Sequence, residues 1–241
     1  MDHRLEILDI WVDAVDRDAA IRCAEAFLRG DRGPQAVFAS NPEKAFTVPK
    51  DPLLHRTYRE AGLLLPDGIG MVLAARILHG VRLERVPGSE FIFDLCGLAA
   101  RGGHPVFVYG AKEAVNRAAV TMLQRRFPGL VVAGRQHGYL PDAEMPSLVE
   151  RINRSGARIL FLALGSPKQE RWFAAHGNNL ASVKICQGIG GTLDTIAGNV
   201  RRAPESWCRV NLEWLYRLLT DPRRAARQRV LPLFALRILA K

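Results

Sequence analysis

The chain has 241 residues, 48% hydrophobic and 24% charged, enough for one α/β domain and an appendage. No apolar run reaches the roughly 18 residues of a transmembrane helix, and Met1-Asp2-His3-Arg4-Leu5-Glu6 lacks the apolar core of a secretory signal. The net charge is +10, and residues 201–241 alone hold ten basic and three acidic residues, net +7, which suits a polyanion or an anionic membrane.

Glu6-Ile7-Leu8-Asp9-Ile10-Trp11-Val12 reads as a first strand. Asp16-Arg17-Asp18 follows and opens a helix to about Leu28. An Asp-x-Asp triplet can hold a divalent metal, but carboxylates also favour the positive end of a helix dipole, and that reading is preferred here. Gln35-Ala36-Val37-Phe38-Ala39 is a second strand. It ends at Ser40-Asn41-Pro42-Glu43, where Asn41 is either a ligand group or a helix cap.

A helix is expected over 52–64, delivering the chain to Leu65-Pro66-Asp67-Gly68-Ile69-Gly70. Asp67 is the only charged residue between Glu60 and Arg76. Such a carboxylate is either fixed by hydrogen bonds, as a helix cap, or does chemistry. Helices over 69–79 and 89–101 flank Glu84-Arg85-Val86-Pro87-Gly88. Strands then alternate with helices: strands at 104–109, 130–133, 158–163 and 183–186, with helices between them.

Three strand–glycine–helix junctions, at Gly110, Gly165 and Gly188, describe a parallel sheet with right-handed crossovers. Strands apolar on both faces fit a sheet covered by helices. No junction has the full GxGxxG spacing, so no dinucleotide cofactor is indicated; the glycines still let backbone amides approach a phosphate. The expected fold is a Rossmann-like α/β core over 1–200 with a basic, amphipathic helical appendage over 201–241.

In the appendage, Arg201-Arg202-Ala203-Pro204 reads as a linker. A helix with Trp207, Trp214 and Tyr216 follows, and Asp221-Pro222 starts another. The end, Val230 to Leu239, is apolar and basic but too short to span a bilayer. The four cysteines, Cys23, Cys96, Cys186 and Cys208, have neither CxxC spacing nor nearby histidines and read as reduced, mostly buried thiols of a cytoplasmic protein.

Several stretches together resemble one family, the WecG/TagA/CpsF glycosyltransferases (glycosyltransferase family 26). They are Ser40-Asn41-Pro42-Glu43, Pro66-Asp67-Gly68-Ile69-Gly70, Glu84-Arg85-Val86-Pro87-Gly88, Leu164-Gly165-Ser166-Pro167-Lys168-Gln169-Glu170, Gly188-Ile189-Gly190-Gly191-Thr192-Leu193-Asp194, Arg202-Ala203-Pro204 and Leu212-Glu213-Trp214-Leu215-Tyr216-Arg217. They span about residues 6 to 229 in the family's order.

The resemblance implies transfer of a sugar from a UDP-sugar donor to a polyprenyl-diphosphate-linked sugar on the cytoplasmic face of the bacterial membrane. It implies inversion, no metal and no cofactor. The donor sugar would be N-acetylmannosamine, its uronic acid, or glucose. The products would feed teichoic acid or other cell-surface polysaccharides. Asp67 maps onto the catalytic base, Arg85 and Gln169 line the site, and Asn41 falls at a substrate-binding position. Arg217, Arg224 and Arg227 would complete the site from the membrane side. One position departs: the family often has Thr two residues before the Asn, where this chain has Ala39.

The chemistry is consistent with the residues themselves. Displacement at an anomeric carbon needs a base for the acceptor hydroxyl. Apolar neighbours such as Leu63, Leu64, Leu65 and Ile69 would strengthen a carboxylate as base. Without a metal, the leaving diphosphate must be met by guanidinium groups and backbone amides, for which Gly110, Gly165, Gly188 and Gly190 leave room. Asp194 either hydrogen-bonds a ligand or locks the glycine turn. Lys168 reads as a surface or structural residue. The appendage would bind an anionic membrane surface peripherally, and its facing surface could support a homo-oligomer. A rival reading is a basic nucleic-acid-binding module without catalytic activity; the apolar spacing of the appendage argues against nucleic acid.

Overall fold

The computed structural model describes residues 4–200, Trp207, Tyr216 and 230–241. The expected strand at 6–12 is instead a hairpin of β1 (Arg4–Ile7) and β2 (Ile10–Asp13). Leu8 and Asp9 form its two-residue turn, both in the left-handed region at φ 50° and 61°. That turn twists with the strands it joins. The hairpin is tied to the rest through Asp13, whose carboxylate accepts from Arg4 at 2.7 Å and from the Leu64 backbone N–H at 2.7 Å.

The main sheet has six parallel strands: β3 (Gln35–Ser40), β4 (Leu63–Pro66), β5 (Val106–Gly110), β6 (Val132–Gln136), β7 (Ile159–Ala163) and β8 (Ile185–Gly188). Their order is β4-β3-β8-β7-β5-β6, so the first and last strands of this sheet lie side by side. Every pairing is parallel, as the strand–glycine–helix rhythm predicts.

The connecting helices are α1 (Arg17–Arg29), α2 (Lys44–Thr47), α3 (Pro52–Arg59), α4 (Ile69–His79), α5 (Gly88–Gly102), α6 (Glu113–Arg126), α7 (Met145–Arg154), α8 (Lys168–His176) and α9 (Thr192–Ile196). Asp16 caps α1, its Oδ1 accepting from the Ala19 N–H at 2.7 Å, which is the helix-opening role expected of the Asp-x-Asp triplet. The helix expected over 52–64 stops at Arg59; the chain turns at Gly62 and enters β4. An apolar run of three leucines is compatible with a helix end or a buried strand, and tertiary pairing with β3 decides for the strand.

One face of the sheet packs on α1, α5 and α6, through residues such as Phe91, Ile92, Leu95, Val108 and Phe161. The other face is covered in two parts. Phe38, Tyr58, Leu64 and Met71 pack with the hairpin; Leu148, Ile152, Leu160 and Trp172 pack below α7 and α8. The final described helix, α10 (Val230–Leu239), buries Phe234 and Ile238 in the cluster that holds Phe38 and Met71. Among the described residues no helix is long and apolar enough to cross a membrane. Cys96 and Cys186 are buried and Cys23 half-buried, all as free thiols. Burial pushes the Cys96 thiol up to about 12 and raises Cys186 further, so both stay protonated. Cys208 lies outside the described residues.

Candidate active site

Ligands of parallel α/β sheets bind outside the carboxyl ends of the strands. Here the loops after β3, β4, β7 and β8 meet at that edge. Asp67 is the first residue beyond β4, and its backbone N–H donates to Ser40 O at 2.9 Å, which sets it beside the end of β3. The N-cap of α4 is Gly68, at φ 96°, so Asp67 is not the capping residue. Its side chain is half-buried and lies next to the start of α5: a Cβ on Gly88 would stand 4.0 Å from Asp67 Oδ2 and 3.3 Å from Ala39 Cβ. Gly88 is pinned from the sheet by Gln187, whose Nε2 donates to Gly88 O at 2.9 Å.

Arg85 is half-buried in the loop ahead of α5. The neighbouring Val86 N–H donates to Pro66 O at 2.9 Å, so this loop is laced to the end of β4 one residue before Asp67. Asp67 and Arg85 are thus brought to the same strand end by backbone hydrogen bonds.

Gln169 sits on the first turn of α8, almost wholly buried. Its Oε1 accepts from the Gly190 N–H at 2.9 Å, which joins the loop after β7 to the loop after β8. Gly190 needs its glycine for φ 57°. Gly165 turns at φ 74° ahead of α8, and Gly110 approaches β7 so closely that a Cβ would run into the Ala163 carbonyl. Gly110, Gly165, Gly188 and Gly190 therefore lie as a glycine floor at the carboxyl ends of β5, β7 and β8, with the Gln169 and Phe38 side chains packed over Gly188. Asp194 closes the turn after β8: its N–H donates to Gly191 O at 3.2 Å and its O accepts from Asn199 N–H at 2.9 Å.

Asn41 braces the turn into α2, whose N-cap residue is Glu43. Its Oδ1 accepts from the Lys44 N–H at 3.3 Å. Ser40 faces away from the site, as strand alternation predicts; its hydroxyl donates to Trp11 O at 2.7 Å. Lys168 is exposed, in keeping with a surface role. Pro42 lies over Gly70, where a Cβ would come 2.6 Å from Pro42 Cγ. The Ser-Asn-Pro-Glu and Pro-Asp-Gly-Ile-Gly stretches therefore interlock, and Gly70 is the residue that lets them. Arg217, Arg224 and Arg227 lie outside the described residues.

Sequence reasoning missed a buried polar cluster beneath these loops. Lys44 Nζ donates to Glu170 Oε1 at 2.7 Å and also to Ser166 Oγ. Tyr58, fully buried, donates its hydroxyl to Ala39 O at 3.2 Å. Burial raises the Tyr58 phenol well above its ordinary range, and the charges of Glu170 and Asp67 add to this, so Tyr58 is a neutral donor. Lys44 and Glu170 stand next to quoted motifs, but nothing in the sequence pairs residues so far apart.

A family model of the glycosyl transferase WecG/TagA/CpsF family matches residues 5–241. The chain belongs to that family. A Bacillus subtilis (strain 168) relative is 35% identical over 83% of this chain and 77% of its own length. A Staphylococcus aureus (strain MRSA252) relative is 36% identical over 76% of this chain and 73% of its own. A Bacillus spizizenii relative is 33% identical over 84% and 78%. All three are named N-acetylglucosaminyldiphosphoundecaprenol N-acetyl-beta-D-mannosaminyltransferase. The fold expected from the strand–glycine–helix rhythm, a helix-covered parallel sheet, is the fold observed, and this family member is a glycosyltransferase.

Proposed function

We propose that this glycosyltransferase moves N-acetylmannosamine from its UDP-sugar to an N-acetylglucosamine carried on a polyprenyl diphosphate, inverting the anomeric centre without a metal. The relatives' shared name supports this donor and acceptor above the uronic acid or glucose. Family membership favours the transferase over a nucleic-acid-binding module. The observation that carries the mechanism is the half-buried Asp67 carboxylate beside Gly88 at the mouth of the sheet.

Asp67 takes the proton of the acceptor hydroxyl as that oxygen attacks the anomeric carbon from the face opposite the leaving group. The C–O bond to UDP breaks, and negative charge builds on the diphosphate. Arg85 and the glycine-floor amides other than Gly190, whose N–H is taken by Gln169, meet the charge there, and Arg217, Arg224 and Arg227 add to them from the appendage. Gln169 orders the floor by holding Gly190. With a lipid-linked acceptor, the enzyme would work peripherally on the inner face of the plasma membrane. The exposed Leu233, Leu236 and Leu239 of α10, with Leu73 and Ile77 of α4, support such a contact.

The test is UDP release over a panel of UDP-N-acetylmannosamine, its uronic acid and UDP-glucose, with a short-chain N-acetylglucosaminyl lipid diphosphate. Turnover should be confined to the first donor, with a β-linked product by NMR. Preference for UDP-glucose, or an α-linked product, would reject the reading.

A further inference from the structure

Among the described residues, Lys44 and Glu170 form the one ion pair with both side chains less than one-tenth exposed, at 8% and 1%. Such a pair is a weak source of stability, because removing two charges from water offsets most of their attraction. Its geometry points elsewhere. Glu170 Oε1 accepts from Lys44 Nζ at 2.7 Å and, at a longer 3.4 Å, from Gln169 Nε2. The other end of the Gln169 amide accepts from Gly190 N–H. A Gln amide can sit either way round, and its two ends differ only in what they donate or accept. The carboxylate on one side and the N–H on the other leave one orientation. Reversal would set Nε2 against the Gly190 N–H and Oε1 against a carboxylate.

We propose that Lys44 and Glu170 are positioning residues of the transfer site: their buried pair fixes the Gln169 amide on Gly190 and ties the loop after β3 to the loop after β7. Lys44 follows Asn41 by three residues and is anchored by it, so the pair joins two of the stretches that frame the glycine floor. Lys44 Nζ also stands 5.5 Å from the centre of the Tyr58 ring, and Tyr58 holds Ala39 O. The inference rests on Gln169 being part of the site.

The test replaces the pair by apolar residues of similar length, Lys44→Met with Glu170→Met, in the full chain. Buried pairs exchanged this way keep their stability. The melting temperature should stay near that of the parent, while kcat/KM for the best donor of the panel should fall about 10²-fold, as expected when a site group is misplaced by about 1 Å. In a Gln169→Ala background the same double change should cost less than about threefold, because the amide to be positioned is gone. A folded double variant with parental kcat/KM overturns the proposal, as does an equal loss in both backgrounds. Glu170→Gln, which keeps shape and removes charge, is measured in both backgrounds as well, so a double variant that fails to fold leaves the comparison intact. Gln169→Ala on its own separates the two levels. If it is fully active, Gln169 is outside the site and the premise falls. If it is impaired while the Met pair is not, only the positioning role falls.

Discussion

Gln169 occupies the space where Gly188 has no side chain: a Cβ on Gly188 would lie 2.5 Å from Gln169 Nε2 and 2.9 Å from its Cδ. Phe38 closes the same space at 3.0 Å. Gly188→Ala must therefore move a buried amide or an aromatic ring. The expected cost is about 1–3 kcal/mol of stability, read as a lower urea midpoint. A drop in kcat/KM of about 10²-fold should accompany it, since Gln169 would leave Gly190. Parental KM and kcat in a folded Gly188→Ala protein would mean the amide has room that the geometry denies it.

The last helix is held by three side chains. Phe234 and Ile238 are buried against α4, and Arg237 lies over the Phe46 ring at 5.0 Å. Phe234 Cε1 would be 3.7 Å from a Cβ on Gly70, so this contact reaches the turn that carries Asp67. Phe234→Ala should cost about 3–5 kcal/mol if the helix stays docked on the core through unfolding. Thermal unfolding checks this. A change under about 0.5 kcal/mol would show that α10 contributes nothing to the folded core.

Glu113 joins α6 to β6 through Arg135 at 2.8 Å and to Arg117 at 3.0 Å. The hydrogen bonds from Arg135 and then Arg117 pull its carboxyl from 4.5 down to about 2. A carboxyl lowered on folding adds stability above its unfolded pKa, and that stability is lost as pH falls through the folded pKa. Glu113→Gln should therefore be less stable than the parent near neutral pH, by a small margin because the pair is exposed. The margin should shrink between about pH 4.5 and 2. Urea midpoints at low salt across that range check it; a margin that grows on acidification would contradict the assignment.

Much of the fold was legible. The residues ahead of Gly110, Gly165 and Gly188 are apolar runs of strand length, and a sheet buried on both faces requires them. The hairpin was not legible, because Leu8 and Asp9 take left-handed backbone that sequence reasoning assigns to glycine or asparagine. Nor was β4, whose three leucines carry no period that separates strand from helix. The edge strand β6 lies later than the apolar run at 130–133 suggests: Val106 pairs with Val132 but Phe107 with Gly134, a bulge that skips Ala133. In the site, the motif residues pointed to the loops, while the Lys44–Glu170 pair crosses 126 positions and has no local pattern.

The Asp-x-Asp triplet predicts how the enzyme responds to chelation. Asp16 caps α1, and Arg17 pairs with Asp94 at 2.8 Å, so the triplet is used in starting a helix and fastening it to α5. Excess EDTA should leave turnover within about twofold, since the proposed mechanism has no step that waits for a Lewis acid. Loss of activity restored by Mg²⁺ or Mn²⁺ would overturn the metal-independent mechanism.

Asp67→Asn tests the central claim most directly. The change keeps the shape beside Gly88 and removes the proposed base. Steady-state kinetics with saturating acceptor, set beside UDP-sugar binding by calorimetry, should show kcat lowered about 10²–10⁴-fold with donor affinity largely kept. Near-parental kcat with saturating acceptor would contradict the assignment and leave Asp67 as a residue of the turn into α4.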